Sequence, residues 1–337
     1  MIVKQKPSAI KLLFTLRGSI LPKVYPQILL ISLISAFITN IQHGFPSSFS
    51  SYSVAPFTLL GIALSLFLGF RNNASYQRWW EARGLWGQLV YDTRSFTRQV
   101  LSYIDDIDDE GEKGRDSQRR LVYLSIAFTH ALRHRLRDSA PWQDVERFVE
   151  PIHHTSMQQA QNLPDYLLRL LGKELGYCRQ QRLTSDLMLQ NMDERINSMT
   201  VVLSACERIH STPLPFAYTL LVHRTTYLYC FMLPFGLVSS LGWVTPLICG
   251  VIAYTFFGLD ALSEELEEPF GLAANQLPLT ALSRNIEINL LEALGETELP
   301  PNIMAKNGYL QYSIFDQLSV ISSGYGSRIS VAKKYTA

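Results

Sequence analysis
Charged and apolar positions are unevenly spread along this chain. From Val24 to Phe70 it runs 47 residues without Lys, Arg, Asp or Glu, and from Thr225 to Leu259 it runs 35 more. A membrane-crossing helix needs about 20 mostly apolar residues. The first stretch therefore predicts two spans and a turn, and the second predicts two shorter spans. The first turn is marked by Gly44, Pro46 and the serines 47, 48, 50 and 51, and the second by Ser239–Gly242 and Pro246. The predicted spans are 24–41, 52–70, 225–242 and 244–262. Core helices of a soluble protein are the competing reading, but such helices ordinarily carry charge on one face.

Between the apolar stretches the pattern changes. Residues 71–212 are charged and poor in glycine, and their apolar positions recur at helical spacing. Leu85, Trp86, Leu89 and Val90 form one such set, and Leu183, Leu187, Met192 and Ile196 another. No strand-like alternation is sustained, so the middle is expected to be a helical bundle fed directly from the second span. The acidic run over 104–118 predicts a solvated loop. Pro151 and Pro164 predict helix boundaries. After the fourth span come EELEEPFG (Glu264–Gly271) and an amphipathic patch ending near Leu294. Beyond Pro300 the chain is a polar tail. Residues 8–21 predict a short amphipathic helix at the membrane surface or a plain soluble helix. Arg17 interrupts the early apolar run, so no secretory signal is expected.

Composition narrows the function classes. Of 337 residues 47% are apolar and 18% charged, with Lys+Arg at 30 against Asp+Glu at 29. That excludes a disordered chain, and the near-zero net charge argues against a nucleic-acid partner. Cys178, Cys206, Cys230 and Cys249 lie far apart and form neither a disulfide framework nor a zinc ribbon. Lys4, Lys6, Lys11, Arg17 and Lys23 precede the first span, Arg71, Arg78 and Arg83 follow the second, and Arg224 stands before the third. Both hairpin loops are uncharged, so both termini and the middle region are expected on the cytoplasmic side.

Candidate chemistry is sparse. No phosphate loop, dinucleotide fingerprint, HExxH or nucleophile elbow is present, so an enzyme is not expected. His130 and His134 at i, i+4 could place two metal ligands on one helix face, but a third is lacking. With Arg133, Arg135 and Arg137 they predict a solvated basic face, and His153–His154 is equally weak. Ser323-Gly324-Tyr325-Gly326 is expected to be a turn, because a filter needs a re-entrant loop between spans. Ile62, Leu66 and Phe70 are spaced by four on the second span. Such a stripe serves ordinary helix packing. In several copies around an axis it would line an apolar tube that gates by dewetting.

The motifs APF-x-LLG (55–61), FLGFRNNxxYxRWWEAR (67–83), PFAYTLLVHRTTYLYCFMLPF (215–235), LDALSEELEEPFG (259–271) and NxLPL (275–279) follow one another in this order. Through them the chain resembles the bestrophin family, specifically its bacterial branch, from about Ile10 to Leu291. The resemblance implies an all-α membrane protein with four transmembrane helices per subunit, a large cytosolic helical bundle and a homopentamer around a central pore. It divides the chain into an N-terminal cytosolic or interfacial helix (1–23) and a first transmembrane hairpin with the pore neck (24–70). A cytosolic helical domain (71–212), a second hairpin (213–262), a cytosolic segment (263–299) and a polar tail (300–337) follow. It assigns the neck to Ile62, Leu66 and Phe70. Counting back from Glu194-Arg195, it assigns the cytosolic aperture to Leu187. The implied location is a bacterial inner membrane, crossed several times. The implied partners are permeant monovalent ions, membrane lipids and further copies of the chain.

Leucine at the neck replaces a phenylalanine of animal members, so their ion selectivity is not carried across. Animal members also carry an acidic calcium clasp after Pro-Phe-Gly. Here Leu272, Ala273, Ala274, Asn275 and Gln276 follow, and leucine and alanine side chains offer calcium no oxygens. No metal and no cofactor are expected, and Glu264, Glu265, Glu267 and Glu268 are assigned to a helix face. The expected function is a passive, monovalent-cation-permeable ion channel. The alternatives are an anion channel of the same fold and a membrane-anchored scaffold or signalling module. Arg71 would favour anions if it faced the neck, so it is expected to point away or to pair with Glu81 or another acid.

Overall fold
The computed structural model describes residues 15–16, 18–45, 53–105 and 112–305, and among them every regular element is helical. Helix α1 (Leu21–Gly44) starts where Pro22 can stand without costing a hydrogen bond. Gly18 just before it is left-handed, with φ of 82°. The predicted helix over 8–21 therefore does not reach Leu21: residues 18–20 turn, and residues 8–14 and 17 lie outside the described residues. Helix α2 (Ala55–Tyr103) again opens on a proline and runs 49 residues without a break. At 1.5 Å per residue it is about 73 Å long, more than twice the roughly 30 Å hydrocarbon thickness. One helix thus spans the apolar layer and continues into the polar region.

The middle of the chain forms α3 (Glu112–Arg135), short helical turns between Trp142 and Gln158, α4 (Leu163–Gln180) and α5 (Asp186–Ser211). Helix α3 begins earlier than the acidic pattern predicted. Residues 112–118 are helical because Gly114 and Ser117 pack inward and Gln118 donates to the Ile104 carbonyl at 2.9 Å. Asn162 caps α4 through the Asp165 amide, with Pro164 in its first turn. Helix α6 (Phe216–Leu241) ends at Gly242, whose φ of 49° favours glycine. Helix α7 (Thr245–Glu267) then returns alongside α6, and α8 (Leu279–Ala293) closes the polar half. Helix α6 starts before the predicted span, so His223 and Arg224 lie within it rather than ahead of it. Among the described residues three helical stretches are long and apolar enough to cross a membrane, Leu21–Gly44, Ala55–Tyr103 and Phe216–Glu267, and the last is the hairpin α6–α7.

Two separate cores result among the described residues. Val24, Ile31, Leu64, Leu68, Val222, Leu233 and Phe257 join α1, the first half of α2, α6 and α7. Trp86, Phe96, Phe128, Leu171, Met199 and Ile286 join the second half of α2 to α3, α4, α5 and α8. In the apolar half, where lipid offers no hydrophobic drive, close approach at small residues holds helices together. A Cβ on Gly61 would lie 2.7 Å from the Tyr229 hydroxyl, and one on Gly236 would lie 2.5 Å from the Phe57 ring. Both contacts join α2 to α6. Gly236→Ala is expected to cost about 1–3 kcal/mol by overpacking, read as a lower melting temperature in detergent. A variant melting with the parent would show that Phe57 swings away freely.

Candidate functional site
Ile62, Leu66 and Phe70 fall on one face of α2 and are 61%, 56% and 59% exposed within the subunit. Leu64 and Leu68 on the opposite face are buried in the apolar core. The spacing of four thus separates a packing face from an uncovered one. Serine at position 65 does not break the stripe, since its hydroxyl donates to the Ile62 carbonyl at 2.8 Å. Leu187 stands apart, in the first turn of α5. Its neighbour Ser185 caps that helix through the Met188 amide, Leu183 is buried beside it, and Leu187 itself is 65% exposed. Of the set Leu183, Leu187, Met192 and Ile196, Leu187 alone faces outward.

Arg71 follows the stripe directly but turns away from it. It is 2% exposed and pairs with Asp260 of α7, with Glu267 at 3.6 Å. The second oxygen of Asp260 meets Nδ1 of His223 at 2.9 Å. Ser75 and Ser263 hydrogen-bond one turn further along. Arg78 donates to the carbonyls of Ile209, Thr212 and Glu267, at 2.6, 2.6 and 3.2 Å. This polar layer lies between the two cores. The EELEEPFG segment belongs to it, which corrects its reading as a plain helix face. Glu264 and Glu268 are exposed, but Glu265 is buried against Lys23 at 3.3 Å and the Asn275 amide at 3.1 Å. Glu267 also accepts from the Leu214 amide at 3.0 Å. Asp260 was the missed residue. Its signal lay in the sequence, as the one acid inside the span predicted over 244–262, because a charge in an apolar span demands a partner.

The predicted basic face of α3 is also corrected. His130, Arg133 and His134 are buried, because each meets a carboxylate that the fold supplies. His134 and Arg133 bind Asp144, and His134 also meets the Ser139 hydroxyl at 2.8 Å. His130 Nε2 lies 2.9 Å from Glu287 of α8, whose other oxygen takes Arg147 at 2.6 Å. Arg284 adds a second cation at 3.5 Å. Burial pushes the His130 imidazole below its ordinary 6.5 against the pull of Glu287, and Arg133 reinforces the shift. Burial alone would raise the Glu287 carboxyl, but the hydrogen bond from His130 and the charges around it hold it low.

The neutral imidazole is therefore the folded form. The unfolded chain takes up a proton that the folded chain refuses, so stability is full above pH 6.5 and falls as pH drops below it. The slope reaches at most about 1.4 kcal/mol per pH unit. His130→Gln is expected to flatten the melting temperature between pH 6.5 and pH 5. An unchanged slope in that variant would assign the acid sensitivity elsewhere.

The family model of the bacterial and fungal bestrophin proteins matches residues 1–292. A voltage-dependent anion channel-forming protein of Mesorhizobium japonicum is 44% identical over 90% of this chain and 95% of its own length. A protein of the same description from Salmonella typhi is 41% identical over 89% and 96%. The crystal structure of a bacterial bestrophin homologue from Klebsiella pneumoniae superposes with a TM-score of 0.75 at 40% identity, covering 82% of this chain and 100% of that one. The overall helical fold thus has a solved counterpart, and the chain belongs to the bacterial and fungal branch of the bestrophin family of ion channels.

Proposed function
We propose that this chain is a passive channel for monovalent cations, assembled as a homopentamer. Four spans per subunit (α1, the first half of α2, α6 and α7) hold both termini and the helical middle in the cytoplasm of a bacterial cell. Five copies of the stripe Ile62, Leu66 and Phe70 form the neck, and Leu187 narrows a second aperture at the far end of the cytosolic region. The observation that carries this reading is the uncovered apolar face of α2. Three large side chains more than half exposed, directly opposite a packed face, are free to face a shared axis. A closed ring of copies would line that axis with them and leave a passage that excludes water until it widens.

Apolar rings carry no sign, so charge preference comes from what flanks them. The cation reading is favoured by Arg71, whose guanidinium is buried on two acids instead of facing the passage. The anion reading is favoured by the relatives described as voltage-dependent anion channel-forming proteins. A planar bilayer recording under a sodium chloride gradient separates the two. The expected reversal potential lies toward the sodium value, and reversal near the chloride value would overturn the cation reading. The size of the detergent complex tests the assembly: a monomer would favour a membrane-anchored scaffold.

A further inference from the structure
The stripe on α2 does not stop at Phe70. Eleven residues make three turns of an α-helix to within about 20°. Asn73 therefore continues the line of Ile62, Gln77 that of Leu66, and Glu81 that of Phe70. All three are exposed. Glu81 is the first ionisable group on this face, about 16 Å beyond Phe70. Arg71 and Arg78 come earlier in the chain, but both turn inward to acids and carbonyls.

Glu81 is met by Arg208 from α5, which donates to its Oε1. Both side chains are open to water. The neighbours on that side of α5, Ser204, Val201 and Asn197, are exposed and uncharged. Glu207 is engaged elsewhere, by Arg135 and Asn162. An exposed ion pair adds little to stability. Its consequence is electrostatic: two opposite charges cancel on a wall that continues the neck.

We propose that the Glu81–Arg208 pair keeps the pore wall past the neck free of net charge and so holds the charge preference of conduction at its parent value. This rests on the pore reading of Ile62, Leu66 and Phe70. While the pair is intact, the wall past the neck is balanced. Losing either member leaves a like-charged ring, repeated in every subunit, that concentrates the opposite ion in front of the constriction. The two members therefore act with opposite sign, which a merely structural contact would not do.

The test is the sodium-to-chloride permeability ratio of the full chain in planar bilayers, from reversal potentials under a salt gradient. Arg208→Gln should raise the ratio and Glu81→Gln should lower it, each by a factor on the order of 10. The swapped double variant, E81R with R208E, should return to the parent value. Both shifts should shrink in 1 M salt, where the screening length is about 3 Å. Shifts of the same sign, or none in either variant, overturn the proposal. Leu66→Ala is recorded alongside. If it alters conductance while the pair variants leave the ratio unmoved, the proposal fails and the pore reading stands. If Leu66→Ala also leaves the current unchanged, both fall.

Discussion

Asp260→Ala is expected to lower the stability of this protein by about 3–5 kcal/mol, the cost of leaving a buried charge without its partner. Arg71 is 2% exposed, and its guanidinium meets Asp260 directly. Glu267 is the other acid within reach, at 3.6 Å, and it already accepts from the Leu214 amide. The loss also removes the acceptor for His223, so α2, α6 and α7 come apart at one point. Asp260→Asn keeps the shape and one acceptor and should cost less. Removing both charges, as Arg71→Met with Asp260→Leu, should recover most of the stability, because apolar replacements of a whole buried pair are often neutral. Melting temperature and the oligomer fraction on size exclusion report the outcome. An Asp260→Ala variant that melts and assembles like the parent would mean that Arg71 finds water or another acceptor there.

Leu66→Ala carries the largest expected effect on conduction. Leu66 is 56% exposed within the subunit, so its truncation leaves no cavity in the subunit core and assembly should persist. Around an axis, the same change removes three carbons from every subunit at the proposed neck, and a wider ring stays wetted. Single-channel current should rise in Leu66→Ala and, from the ring above, in Ile62→Ala, with an unchanged elution volume. Equal currents in both variants and parent would remove these side chains from the pathway. Loss of assembly in both would instead place them at a packing surface between helices.

Much of this architecture was legible before any coordinates. The four apolar segments, the prolines that open α1, α2, α4 and α7, and Gly242 at the hairpin bend all follow from local rules that each residue obeys on its own. That Ile62, Leu66 and Phe70 share a face was legible for the same reason, because a helix fixes which residues share a face, whereas their exposure was shown only by the fold. The membership motifs were continuous in sequence and needed no fold to read. Less was legible where residues far apart meet. His130 and His134 looked like a solvated face because their neighbours in sequence are arginines, whereas Glu287 and Asp144, which bury them, arrive from other elements. The acidic run after the fourth span looked like a surface, whereas Glu265 reaches Lys23 from the opposite end of the chain.

The sequence by itself determined where the chain is apolar enough to sit in lipid, where it turns, and which side chains of α2 stand in one line. These depend on short-range periodicity and on the free energy of taking charge out of water, both carried by neighbouring residues. Only the tertiary structure decided which charges are matched. Arg71 finds Asp260 and Arg208 finds Glu81 across intervals of 189 and 127 residues. Electrostatic pairing depends on distance in space, and no period along the chain encodes that distance.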